Sequence, residues 1–222
     1  MVSGTPAGAH DQLAALAARG VSWPTIPGQD QTALRPAAVL VLLGVLDDAP
    51  ARHPSAAVPA DLDVLLVARS DELTHHPGQV AFPGGRLDPD DGGPVAAALR
   101  EAREETGLDP AGVEVLGTLA PLPLPVSRHL VTPVLAWWAT PSTVGVVDQR
   151  ESADVFRAPV ADLIDPARRG VVTSRRPPTF RTPAFEVSGR VVWGFTAIVL
   201  DTLLDALGWA EGWDRGRTLS RP

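Results

Sequence analysis

The chain has 222 residues, 45% of them hydrophobic, with a formal net charge of −7 and no cysteine. This length and apolar content suit one generous domain with its own core, and the acidic balance argues against a general nucleic-acid binder, which needs a basic face. Disulfide and thiol chemistry are excluded, which fits a cytoplasmic protein; no apolar run approaches the roughly 20 residues that cross a membrane, and MVSGTPAGAHDQ has neither the basic start nor the apolar middle of a signal peptide.

In chain order, HDQLAALAARG (10–20) predicts a short amphipathic helix on the outside of the body. PAAVLVLLGVLDD (36–48) has strand composition and stops at Asp47 and Asp48. APARHPSAAVPAD (49–61) is a proline-rich loop, and DVLLVARS (63–70) is a second strand. GQVAFPGG (78–85) reads as a third strand that terminates in a proline and two glycines. PVAAALREAREETG (94–107) is the long helix of the first half, with Val95, Leu99 and Ala102 on its apolar side and its glutamates facing roughly away.

VEVLGTLAPLPL (113–124) and LVTPVLAWWAT (130–140) have strand character, and ADVFRAPVADLID (153–165) suggests a strand turning into a short helix. A proline- and arginine-rich stretch runs from Arg168 to Arg190, and RVVWGFTAIVLDTLLDAL (190–207) contains a closing helix. The order of elements predicts one α/β domain, a mixed β-sheet layered with α-helices. Its core spans 36–207, after a helical extension at 1–35 and before a motif-free tail at 208–222 that reads as poorly ordered.

The chemistry gathers in REAREETGL (100–108), where Glu101, Glu104 and Glu105 fall within an arc of about 100° on a helix. Gly107 looks like the residue that ends that helix, so the carboxylates also meet its negative end. A solvated acidic face screened by Arg100 and Arg103 is the commoner meaning of such a pattern. The Gly84–Gly85 pair changes the balance, because it follows a strand and a 14-residue loop and helix start separates it from Arg100. Glycines there let backbone approach a phosphate or its metal, and the three glutamates are hard oxygen ligands suited to Mg²⁺ or Mn²⁺.

With these residues in place, the segment resembles the Nudix hydrolases, whose signature is G-x5-E-x7-R-E-U-x-E-E-x-G-U with U aliphatic. Arg100 to Leu108 fits the second half position by position, with Ala102 a small U. The first half fits after one inserted loop residue, as Gly85, Asp91 and Arg100, with aspartate for glutamate. A strict count would place Arg86 and Gly92 there instead. Upstream, Leu65-Leu66-Val67-Ala68-Arg69-Ser70, Gly78 and Phe82-Pro83-Gly84-Gly85 are similar to the pattern LLTxR(S/A)x3Rx3Gx3FPGG of the Nudix branch that hydrolyses coenzyme A. Val67 replaces its threonine and Thr74 its second arginine.

The resemblance implies a Nudix fold, a mixed sheet sandwiched between helices, and metal-dependent cleavage of a diphosphate. For coenzyme A or its thioesters the products would be 3′,5′-ADP and 4′-(acyl)phosphopantetheine. ADP-ribose, NADH or an oxidised nucleotide are the alternative substrates, and a non-catalytic nucleotide-binding module is the alternative class. Glu101, Glu104, Glu105 and the Gly85 carbonyl would hold Mg²⁺ or Mn²⁺, and Arg100 would orient the glutamates. The general base would be a hydroxide on the metal, held by Glu104 or Glu105, or a loop carboxylate such as Glu151. Arg69, His75, His76, Phe82, Gly84 and Arg86 are the candidate substrate contacts. The partner would be a small nucleotide, with neither nucleic acid nor membrane, and a homodimer is compatible with the sequence.

Plainer readings stand beside several of these residues. Phe82 and the adjacent Trp137 and Trp138 serve a core as readily as a substrate, although an outward tryptophan would suit adenine. His75 and His76 also read as exposed loop residues. The arginines at 168, 169, 175, 176 and 181 read as a solvated basic loop, since this chain has no lysine to share the cationic roles. Asp91 reads as a turn or capping residue, and DPDDGG (88–93) is no calcium loop, because Leu99 stands where its bidentate acid would fall.

Overall fold

The structure, a computed structural model, describes residues 8–24, 34–46, 51–70, 78–124, 127–173 and 180–220. Its central strand is β1 (Arg35–Val45), nearly all of it buried from Ala37 to Gly44. An apolar run without alternation is what a strand covered on both faces requires. Ala38, Leu40 and Leu42 enter one core cluster, and Val39, Val41 and Leu43 enter the other, because successive side chains leave a strand on opposite faces.

On one edge β1 pairs in parallel with β7 (His129–Trp138), in register from Arg35↔His129 to Leu43↔Trp137. Two antiparallel strands share its other edge: β4 (Gly84–Arg86) opposite Ala37–Val39, and β2 (Leu62–Arg69) opposite Leu43–Val45. Beyond β2 lie β3 (Val80–Ala81) and β8 (Ser152–Pro159), and beyond β7 lie β5 (Val113–Thr118) and β6 (Leu122–Leu124). Among the described residues this makes one eight-stranded mixed sheet, as expected. The glycine pair departs from expectation, since it opens β4 instead of ending a strand. The Pro83 carbonyl already accepts the Leu40 N–H at 2.8 Å, so pairing with β1 begins before the first glycine.

Helix α2 (Pro94–Thr106) covers one face through Ala97, Ala98 and Ala102. It starts at Pro94, whose missing N–H costs nothing in a first turn. It stops at Gly107, whose left-handed φ of 71° lets its N–H reach the Arg103 carbonyl at 2.9 Å. The other face carries α1 (Ala9–Arg19) and α4 (Phe195–Leu207), packed through Leu13, Leu16, Val199 and Leu203. The sheet is thus sandwiched between helices. None of these helices is long and apolar enough to cross a membrane.

Helix α1 is more than an outer ornament, because Leu13 and Leu16 are fully buried. Burying two leucines contributes roughly 3–6 kcal/mol as an upper estimate. His10 fixes the start of α1, with Nε2 3.1 Å from Glu114 on β5 and its ring edge-on to Trp137 at 5.5 Å. Trp137 is therefore covered by this helix, which agrees with its reading as a packing residue and not with stacking on adenine. Trp138, on the opposite face, is buried under the α2 side of the core.

The region from Arg168 to Arg190 is not a solvated basic loop. Among its described residues, β9 (Arg169–Thr173) and β10 (Arg181–Val187), with β11 (Arg190–Trp193), form a three-stranded antiparallel sheet. Arg169 is fully buried, pairs with Asp201 of α4 and lies between the rings of Phe185 at 4.6 Å and Trp213 at 4.5 Å. Desolvation outweighs the mutual attraction of this pair, pulling the Arg169 pKa down and pushing that of Asp201 up. Arg175 and Arg176 lie outside the described residues.

Nor is the tail loose over its described length. Trp209 and Leu219 are buried, the Trp209 indole donates to Gln12 at 2.7 Å, and Leu219 N–H bonds the Val171 carbonyl at 3.0 Å. Apolar residues spaced along the tail drive this packing, which a search for motifs does not reveal. The short helix expected after β8 is α3 (Val160–Ile164).

Two outcomes follow. Asp201→Asn leaves a buried cation unpaired, so urea denaturation should show a loss of roughly 3–5 kcal/mol, whereas Arg169→Met with Asp201→Leu should come close to neutral. The bonds from His10 to Asp11 and Glu114 raise its pKa above 6.5. That contribution is complete below pH 6.5 while the acids stay ionised, and it is lost as pH rises through the folded-state pKa. The stability gap between the unaltered protein and His10→Gln should therefore narrow from pH 6 to pH 9.

Candidate active site

The site is built where β4 meets α2. A side chain on Gly84 would put its Cβ 2.3 Å from the Ala38 carbonyl oxygen, and one on Gly85 would meet the Glu101 carboxylate at 2.4 Å. The first glycine is thus required by the neighbouring strand, and the second leaves the space that the Glu101 carboxylate occupies. The Gly84 N–H donates to Glu105 Oε2 at 3.0 Å. Glu101 and Glu105, one helical turn apart on the same side of α2, both rest on the glycine strand.

This geometry corrects the expectation that the glutamates face away from the core. The stripe of alanines lets α2 approach the sheet closely, which draws Glu101 and Glu105 inward. The Glu101 side chain is 20% exposed, whereas that of Glu104 is 57% exposed. Burial pushes the Glu105 carboxyl up to about 7, opposed by the Gly84 N–H and increased by Glu101 and Glu151. Burial also raises Glu101, against the attraction of Arg100.

Arg100 ties the groups together. Its Nη1 lies 3.0 Å from Glu104 and 3.2 Å from Glu101, and its Nη2 donates to the Arg86 carbonyl at 3.1 Å. The most complete contact is with Asp91, which accepts from Nε at 3.0 Å and from Nη2 at 2.9 Å, a bidentate arrangement. Asp91 also accepts the Asp88 N–H at 2.8 Å, so it caps a turn as read from sequence while it holds the arginine. Arg100 holds the Asp91 pKa below the usual carboxylate range, and Asp91 raises that of Arg100. The holding role went unread, although the position of Asp91 in the shifted signature was the available signal.

Arg69, at the end of β2, has its Nε buried without a hydrogen-bond partner among the described residues, and its charge lowers the Glu105 pKa. Glu151 is exposed in the turn before β8, and its carbonyl accepts the Ser70 N–H at 2.9 Å. Arg69, at the end of β2, and Glu151, in the turn before the paired strand β8, thus both act electrostatically on Glu105. Phe82 does not join them: it is 3% exposed and packs in the core facing α4, away from the carboxylates. Gly84 contributes backbone only. Arg86 is exposed, on a strand whose residues alternate faces, so its side chain leaves Gly85 and the α2 side. His75 and His76 lie outside the described residues. A cleft of about 400 Å³ flanks the same helix, lined by Leu99, Arg100, Arg103, Glu104, Pro110 and Val147.

Among the described residues no three acidic or histidine side chains already converge at metal-ligand spacing. The donor set nevertheless fits a hard divalent cation. It consists of three carboxylates beside bare backbone, two of them half-buried and raised in pKa by that burial. Cation binding restores the charged form of such groups and releases protons.

A sequence profile described as the NUDIX domain matches residues 51–178, more than half of the chain. A Shigella flexneri serotype 5b (strain 8401) protein named an uncharacterized Nudix hydrolase, NudL, is 36% identical over 166 residues, covering 72% of this chain and 85% of that protein. Its Yersinia pestis (strain Pestoides F) namesake is 35% identical over 139 residues, covering 62% and 68%. Among solved structures, the M. smegmatis Nudix hydrolase RenU is 26% identical, with a TM-score of 0.45 over 59% of this chain and 74% of that one. The profile match over more than half of the chain and the NudL relatives agree with the signature helix and the glycine strand: the chain belongs to the Nudix family and is a diphosphate hydrolase.

Proposed function

We propose that the enzyme cleaves the diphosphate of coenzyme A or its thioesters, giving 3′,5′-ADP and 4′-(acyl)phosphopantetheine. The observation that supports this reading is that the charge of Arg69 acts on Glu105. This links the LLVARS strand, which resembles the coenzyme A branch, to the helix that carries the Nudix carboxylates. Arg69, buried in part and with an unused Nε, would hold a substrate phosphate.

Glu101, Glu104, Glu105 and the Gly85 carbonyl would hold Mg²⁺ or Mn²⁺. Once bound, such a cation neutralises phosphate charge and so favours attack by water. The rest falls to the chain's own groups. Arg100, fixed by Asp91, sets the directions of Glu101 and Glu104. Glu151, exposed and coupled to Glu105, would accept the proton of the attacking water. The new phosphorus–oxygen bond forms as the bridging phosphorus–oxygen bond breaks, and the bridging oxygen leaves on the departing phosphate. The described residues would act in this as one unit, since α1 and the tail both lock onto the core.

Purified protein offered coenzyme A, acetyl-coenzyme A, ADP-ribose, NADH and 8-oxo-dGTP with Mg²⁺ or Mn²⁺ should release 3′,5′-ADP from the first two, identified by mass. Cleavage of ADP-ribose with no 3′,5′-ADP formed from either coenzyme would remove the coenzyme A reading. Glu104→Gln should lower kcat by roughly 100-fold or more while the melting temperature hardly moves. Gly85→Ala should displace Glu101 and lower kcat at least about tenfold, whereas Gly92→Ala, with open space around its Cβ position, should not.

A further inference from the structure

The strands that carry the glycine turn also carry a concentration of positive charge on their other face. In register, Arg35 is the partner of His129, and Ala37, two residues on, is the partner of Arg86. Residues paired across strands share a face, as do residues two apart along one strand. Arg35, Arg86 and His129 therefore occupy one corner of the sheet, on the face opposite α2. Gly85, whose partner is Ala38, lies at the same end on the α2 face.

His129 lies within reach of the charge of both arginines. Burial is the main cause that lowers the His129 pKa, and Arg86 and Arg35 add to it. The chain has 26 acidic residues against 19 basic ones. Among the described residues Arg100, Arg169, Arg190 and Arg217 each have a carboxylate partner, but Arg35 and Arg86 have none. The His129 ring is anchored by Nδ1, 2.9 Å from Ser127 Oγ, while its buried Nε2 has no hydrogen-bond partner among the described residues. Grouped cations without counter-charge, beside an unused ring nitrogen, form a corner suited to an anion.

We propose that Arg35, Arg86 and His129 form a subsite for a second phosphate of the substrate, a monoester set apart from the diphosphate that is cleaved. This rests on the hydrolase reading above and deepens it, because the carboxylate site alone cannot distinguish nucleotides that differ by one remote phosphate. Arg86 links the two regions: its carbonyl accepts from Arg100, and it directly follows Gly85, which touches Glu101. Paired guanidinium groups match a phosphate dianion, and the 3′-phosphate of coenzyme A belongs to this chemical class.

The test compares 3′,5′-ADP with AMP, which differ by that monoester alone, by calorimetric titration. The unaltered protein should bind 3′,5′-ADP about tenfold or more tightly. Arg35→Ala and His129→Gln should each erase most of that preference, and Arg35→Lys should keep much of it. In turnover, the ratio of kcat/KM for coenzyme A over 3′-dephospho-coenzyme A should fall by a similar factor in the first two variants. Equal binding of the two nucleotides by the unaltered protein, or a preference that survives both substitutions in folded protein, overturns the subsite. If neither coenzyme is cleaved while the binding preference responds to the variants as stated, the subsite stands and the coenzyme A reading falls.

Discussion

The candidate site depends on one close approach, that of bare backbone in β4 to the carboxylates of α2. Gly84 leaves room for the backbone of β1 and Gly85 for the Glu101 carboxylate, and a stripe of alanines lets the helix settle close enough to use it. Neither half suffices. Bulkier residues in place of Ala98 and Ala102 would lift Glu101 and Glu105 away from the strand, and a Cβ at position 85 would push Glu101 aside at any helix height.

That approach has an electrostatic cost, which the surrounding residues contain. Glu101 and Glu105 lose water and rise in pKa. The cation beside Glu101, Arg100, is shared among Asp91, Glu104 and Glu101 instead of neutralising one glutamate, and Glu105 is left to the charge of Arg69. Its firmest contact is with Asp91, outside the helix, so the guanidinium serves as a fixed post from which the glutamates are steered. The arrangement keeps excess negative charge in place while limiting how far its side chains can wander.

Much of this was legible in sequence, and the exceptions have physical causes. The central strand, α2 and the mixed sheet followed from apolar runs, alanine content and the glycine stop at 107, all of which are local signals. The facing of the glutamates was misread because periodicity ranks side chains by hydrophobicity, whereas close packing is decided by size. Arg169 was misread for a related reason. Composition counts an arginine as polar, and nothing local reveals that Asp201, Phe185 and a tail tryptophan will surround it. Asp91 occupied a recognisable place in a shifted signature, yet its bidentate hold on Arg100 depends on loop geometry that spacing alone does not supply.

The parallel pairing of β1 with β7 bears on how the chain comes to be folded. On one edge β1 finds β2 and β4, both made soon after it, but its other edge is closed from Arg35 to Leu43 by β7, which emerges only after α2, β5 and β6. During synthesis, a long apolar strand therefore waits with one row of backbone groups unpaired, an invitation to pair with another chain. Such distant pairing also slows folding, because loop closure precedes the contacts that reward it. The carboxylate helix lies within that interval, so its glutamates can be drawn against β4 before the strand beneath them is secured on both sides.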